Sequence, residues 1–123
     1  MDSGVPGSRE INAADLQQRT RTLGGKEVIV DKDGFLWHPE DWTEGVARDL
    51  AAEYGIERLN DVQWRVVRFI REYYSYNGRA PLNRDLKAGL AMSILELEGI
   101  FPGGIRRGAR CVAGLPNPKT CSG

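Results

Sequence analysis

The sequence predicts a mainly α-helical domain with a β-hairpin on its N-terminal side and a flexible arm at its C-terminal end. Three observations predict this class. Apolar residues recur at helical spacing in successive segments between Trp42 and Ile94. A short alternating stretch with a tight-turn signal, KEVIVDKDGFLW, precedes them. Residues 111–123, CVAGLPNPKTCSG, are broken by Gly114, Pro116 and Pro118, which prevent both helix and sheet.

The elements follow in chain order. Residues 1–25 are polar and without a sustained period, so they are expected to form a disordered extension with at most a helical turn around Ala13–Arg19. Residues 26–112 are expected to be the folded domain and 113–123 the mobile arm. In the hairpin, Val28 and Val30 alternate with polar neighbours, Asp33-Gly34 turns the chain, and Phe35-Leu36-Trp37 returns. A lone hairpin is marginal and must pack on something. The first helix is expected to start at His38-Pro39, with Glu40 and Asp41 at the positive end of its dipole. Trp42, Val46, Leu50 and Tyr54 lie on one stripe, and Gly55 stops the helix. The second helix has a capping box of Asn60 and Gln63, with Leu59 able to staple onto Trp64. Its expected buried face is Val62, Val66, Phe69, Ile70 and Tyr73, and Asn77-Gly78 ends it. A third stretch carries Leu82, Leu86, Leu90 and Ile94 and is weakened in its middle by Gly89, which would divide it into two short helices. A last short helix runs from about Gly104 to Val112.

Composition narrows the class of function. The chain of 123 residues is 41% hydrophobic and 28% charged, enough for one core without staples. Seventeen basic and seventeen acidic residues balance, so global charge argues for neither nucleic acid nor membrane as partner. No apolar run approaches the roughly 20 residues of a spanning helix, and the N-terminus lacks the apolar region of a secretory signal. A cytoplasmic location is therefore expected, where a lasting structural disulfide is disfavoured. Two cysteines and one histidine are too few for a structural zinc site. No phosphate-cradling or hydrolase motif occurs, and neither a cofactor nor a metal is expected.

The two cysteines, Cys111 and Cys121, both lie on the terminal segment. One reading makes Cys111 a small buried residue of the last helix and Cys121 incidental at a frayed end. The other makes them reactive. Cys121 has access on a segment tied down by little, and Lys119 and Arg110 supply positive charge that favours thiolate. Seven residues from Gly114 to Cys121 reach about 24 Å when extended, so the thiol can enter another protein's site. Cys111 can then act as the resolving thiol, closing a loop whose chain-entropy value is about 3 kcal/mol. Arg106, Arg107 and Arg110 precede Cys111 and read either as a solvated face or as charges that attract an anion or an acidic partner. Arg65, Arg68 and Arg71 read as a solvated face or as a basic strip for a partner or RNA phosphates. His38 reads as a helix-entry residue, and Trp42, Trp64, Tyr73 and Tyr74 as core.

Read together, DKDGFLWHPEDW, FIREYY, APLNRDLK, IFPGG and CVAGLPNPKTC resemble the DsrC/TusE family of sulfur-relay proteins, from about Glu27 to Cys121. The most specific element is the C-x9-C arm enclosing AGLPxP. The resemblance implies a small orthogonal helical bundle with an N-terminal hairpin and a helix-turn-helix-like core. It implies a sulfur carrier rather than a stand-alone enzyme, with sulfur accepted on Cys121 and resolved by Cys111, and with Lys119, Arg106, Arg107 and Arg110 assisting through charge. The partners it implies are a dissimilatory sulfite reductase, whose haem does the redox chemistry, a heterodisulfide-reductase-like membrane complex and upstream sulfurtransferases. In DsrC-type members the two arm cysteines pair, and a trisulfide between them is the proposed product. TusE-type members keep only the last cysteine and pass persulfide toward tRNA 2-thiouridine. Cys111 therefore points to the DsrC type, with the TusE-like relay as the alternative. A thiol-switched helix-turn-helix regulator binding nucleic acid is a further alternative, against which the zero net charge counts.

Overall fold

The computed structural model describes residues 18–117. It contains an antiparallel hairpin, β1 (Arg19–Leu23) and β2 (Lys26–Val30), followed by α1 (Glu44–Ala52), α2 (Asp61–Asn77), α3 (Asn83–Leu90), α4 (Ile94–Ile100), a π-helical segment (Gly104–Ala109) and the short α5 (Arg110–Val112). The class is the expected one: mainly helical, with α2 and α3 forming a helix-turn-helix-like pair.

The hairpin starts earlier than expected. Arg19 pairs with Val30 and Leu23 with Lys26, so residues 19–25, expected to be disordered, are its first strand and turn. Gly24 and Gly25 both have positive φ, at 61° and 80°, which is what a two-residue hairpin turn of the right twist demands. The strand was hidden because RTRTL shows only one apolar side chain, Leu23, buried at the turn end. The pairing expected across Asp33-Gly34 is present in short form: a Val30–Leu36 bridge, with Asp31 N–H donating to Phe35 O and Trp37 N–H to Ile29 O. The hairpin sits on α1, where the Gly24 N–H donates to Asp49 Oδ2 at 2.7 Å and Arg21 pairs with Glu53.

Residues Pro39–Asp41 form only a 3-10 turn, and α1 begins after it, capped by the Thr43 hydroxyl accepting from Val46 N–H. The Asn60–Gln63 capping box is present, and Gly78, left-handed at φ 71°, ends α2. The buried face of α2 is Gln63, Val66, Val67 and Ile70, the i, i+3, i+4, i+7 pattern. Val62, expected inside, is half exposed; the helix instead turns Gln63 inward, where its amide donates to Ile100 O.

The third helical stretch does divide in two, at Ala91 rather than at Gly89. Ala91 takes the left-handed region at φ 56°, and Ser93 with Glu96 caps α4. Gly89 stays inside α3 because any Cβ there would run into the Phe69 ring. The core joins Val30, Val46, Leu50, Val67, Ile70 and Leu86 with Val112, Ala113 and Leu115.

Candidate functional site

The site begins at the root of the C-terminal arm. The Cys111–Leu115 run, in which Cys111 is 2% exposed and the other four residues are also buried, belongs to the core. The mobile arm was expected to start at residue 113; residues 113–117 instead pack against the domain. Several bonds hold them. Trp42 Nε1–H donates to Val112 O at 2.8 Å, and Arg71 Nη1 donates to Ala113 O and Pro39 O. The Arg71 guanidinium also stacks over the Trp42 ring, 4.6 Å from its centroid. Leu115 N–H closes back on Arg110 O. Gly114 has φ 78°, and a Cβ added there would run into the Trp42 ring.

Asn117 is the last anchor among the described residues. It is 5% exposed, and its amide donates to Asp31 Oδ2 at 2.9 Å and to Asp33 Oδ2 at 2.8 Å. The other Asp31 oxygen, Oδ1, accepts from Asp33 N–H and Phe35 N–H and so builds the turn itself. The bond from Asn117, helped by Lys32 and Arg107, holds the Asp33 carboxyl below the usual carboxylate range. Neither Asn117 nor Asp31 is singled out by the sequence, and Asp33 is read there only as a turn residue. The Asp33-Gly34 turn was legible, but nothing local shows that residue 117 would reach it.

The same turn covers the Cys111 thiol, whose Sγ lies 3.6 Å from Gly34 O. Burial pushes this thiol up to about 11, and the Glu53 and Asp31 charges add to the rise. Tyr54, whose hydroxyl donates to Arg107 O at 2.6 Å, and the Arg107 charge pull the other way and are outweighed. Cys111 in this state is a neutral, covered thiol, although it stands at the base of the arm that carries Cys121. A covered thiol is not a nucleophile; reaction at Cys111 requires the cover to open.

The arginines expected to assist are spread apart. Arg106 and Arg107 are exposed and Arg110 is half-buried. Arg107 approaches Asp33 Oδ2 at 3.7 Å. Arg106 and Arg110 line a groove of about 350 Å³ with Leu82, Asn83 and Glu98. Cys121 and Lys119 lie outside the described residues. The arginines of α2 form no strip: Arg65 donates to Leu90 O, Arg68 pairs with Glu44, and Arg71 holds the arm root. His38 precedes the 3-10 turn and lies 3.8 Å from Glu40. Among the described residues no cluster of metal-ligating side chains occurs, and no helix is long and apolar enough to cross a membrane.

Comparison with known proteins adds a family. The family model described as "DsrC like protein" matches residues 22–122. The chain is 36% identical over 106 residues to the sulfurtransferase TusE homolog of Haemophilus influenzae, covering 80% of this chain and 96% of the relative. It is 34% identical over 100 residues to the dissimilatory-type sulfite reductase subunit gamma of Nitratidesulfovibrio vulgaris, covering 81% and 95%. A chain in the crystal structure of dissimilatory sulfite reductase I superposes with a TM-score of 0.76 at 31% identity, over 81% of this chain and 96% of that one. By sequence, by fold and by the span of the match, which takes in both cysteines, this chain belongs to the DsrC-like protein family.

Proposed function

We propose that this protein is a sulfur carrier that accepts sulfur on Cys121 as a partner of a dissimilatory sulfite reductase, with Cys111 as the resolving thiol. The observation that carries this reading is the two-cysteine arm in a chain 34% identical to a sulfite reductase gamma subunit. A persulfide on Cys121 would be resolved when the Cys111 thiolate attacks the Cys121 sulfur. The Cys111–Cys121 disulfide forms, hydrosulfide leaves with its electron pair, and no net oxidant is needed. Regeneration of the two thiols takes two electrons and two protons, the task expected of a heterodisulfide-reductase-like membrane complex. Where the product is a trisulfide, its reduction to two thiols and hydrogen sulfide takes four of each. Haem chemistry belongs to the reductase, and the carrier needs no cofactor of its own. Upstream sulfurtransferases are the other source of sulfur, and the cytoplasm is the compartment in which the free thiols would persist.

The test is intact-mass spectrometry after incubation with sulfite reductase and sulfite. Wild type gains sulfur mass and Cys121→Ala does not; equal gain in the variant ends the assignment. A second reading, a TusE-like persulfide relay toward tRNA thiolation, is favoured by the 36% identity to a TusE homolog. In that relay Cys111→Ala transfers sulfur onward as wild type does. Loss of transfer in Cys111→Ala decides for the two-thiol mechanism.

A further inference from the structure

The Asp31–Phe35 turn that follows β2 touches both the arm and the thiol. Through Asp31 and Asp33 it holds Asn117, and through the Gly34 carbonyl it covers the Cys111 thiol. Asp33 and Gly34 are adjacent, so the contact that docks the arm and the contact that covers the thiol sit on neighbouring peptide units.

Resting on the carrier reading, we infer that the Asp31–Phe35 turn is a clasp and that Asn117 is the positioning residue that keeps it shut, so that Cys111 stays covered while the arm is docked and becomes available when the arm is pulled away. The chemistry of the clasp supports this. A side-chain amide has two N–H donors, and the two bonds of Asn117 go to two carboxylates, each a charge-assisted bond. An amide at this position joins two carboxylates that would otherwise repel each other. Arg107 and Lys32 stand by Asp33 and offset part of that repulsion, while Tyr54, Glu53, Asp31 and Arg107 are the polar groups that act on Cys111.

The docked state also sets reach. Cys121 is only four positions beyond Asn117, about 14 Å when extended, against about 24 Å for the seven positions from Gly114. A partner whose reacting centre lies deeper than the shorter reach must therefore strip Asn117 from the clasp in order to seat Cys121. Delivery of Cys121 and uncovering of Cys111 thus become one event. The resolving thiol is withheld until the carrier is engaged, which prevents the two arm cysteines from closing prematurely.

The experiment uses the full chain carrying Cys121→Ser, so that Cys111 is the single thiol and no sulfur donor is needed. Its alkylation by iodoacetamide is followed at pH 8. Asn117→Asp, which places a third carboxylate between two, and Asn117→Ala, which only removes the two donors, each raise the rate tenfold or more. Asn117→Asp combined with Asp33→Asn, which exchanges donor and acceptor, returns the rate toward the parent. A purely structural role would not give this recovery. Hydrogen exchange of α2 amides, measured alongside, is unchanged, which shows the effect to be local. Rates within threefold of the parent for both single variants overturn the proposal, as does a double variant as reactive as Asn117→Asp. The outcome is independent of the sulfur-mass test, so the clasp and the carrier reading fail separately.

Discussion

Gly114→Ala tests how the arm root is held. The residue sits at φ 78°, a region that costs a non-glycine residue about 1–2 kcal/mol. A Cβ there would also lie 2.9 Å from Trp42 Cγ and 3.0 Å from Trp42 Cβ, and nearer still to Cδ1. Trp42 cannot easily yield, because its indole N–H is bonded to Val112 O and its ring is covered by Arg71. Overpacking of this kind costs about 1–3 kcal/mol, so the expected loss is about 2–5 kcal/mol. Gly55→Ala is the control: φ is 85° and nothing lies within 4 Å of its Cβ, so only the backbone strain of about 1–2 kcal/mol applies. Urea unfolding of both variants, with unchanged denaturant slope, measures the difference. Gly114→Ala is expected to exceed the control by about 1–3 kcal/mol and to make Cys111 open to alkylation. Equal losses in the two variants would refute the claim that residues 113–117 are fixed against Trp42.

Three further outcomes are expected. Because Cys111 titrates near 11 when folded and its ordinary value is 9.0, the unfolded chain gives up the proton first. The contribution is whole below pH 9 and falls toward pH 11 by about 3 kcal/mol, two units at about 1.4 kcal/mol each. The difference in urea midpoint between wild type and Cys111→Ala should shrink over that window, and a difference independent of pH would contradict the buried neutral thiol. Ala91→Gly, at the left-handed break between α3 and α4, should stabilise the chain by about 0.5–1 kcal/mol in the same assay; a destabilised variant would show that the Ala91 methyl contributes packing. Deleting Ser122 and Gly123 should leave sulfur acceptance on Cys121 unchanged or improve it in the mass assay, and a severe loss would assign those two residues contacts with the partner.

Much of the fold was legible because its signals are local. Asn60 and Gln63 satisfy each other's backbone donors within one turn, and Gly78 supplies the left-handed exit, so α2 could be placed almost to the residue. Where a signal depended on the rest of the molecule, the reading slipped. Arg19–Leu23 has too little apolar character to announce a strand and is held by β2 and by α1. Gly89 looks like a helix weakness in the sequence and is a packing requirement of Phe69 in space. Val62 fits an apolar stripe, yet Gln63 takes the inward position because Ile100 O is there to receive its amide.

The site divides along the same line. The sequence alone places two thiols at the two ends of a Pro/Gly-broken arm, and a spacing of that kind needs no tertiary context to be read. It also determined the family, since DKDGFLWHPEDW and the C-x9-C arm are contiguous strings. Contacts made only in the folded chain put the first half of the arm in the core, cover Cys111 and keep it neutral, and tie Asn117 to two aspartates more than 80 residues earlier in the chain. Proline and glycine forbid regular secondary structure, but they do not forbid burial. When the chain's own backbone groups find partners in Trp42, Arg71 and Arg110, an irregular segment packs as firmly as a helix.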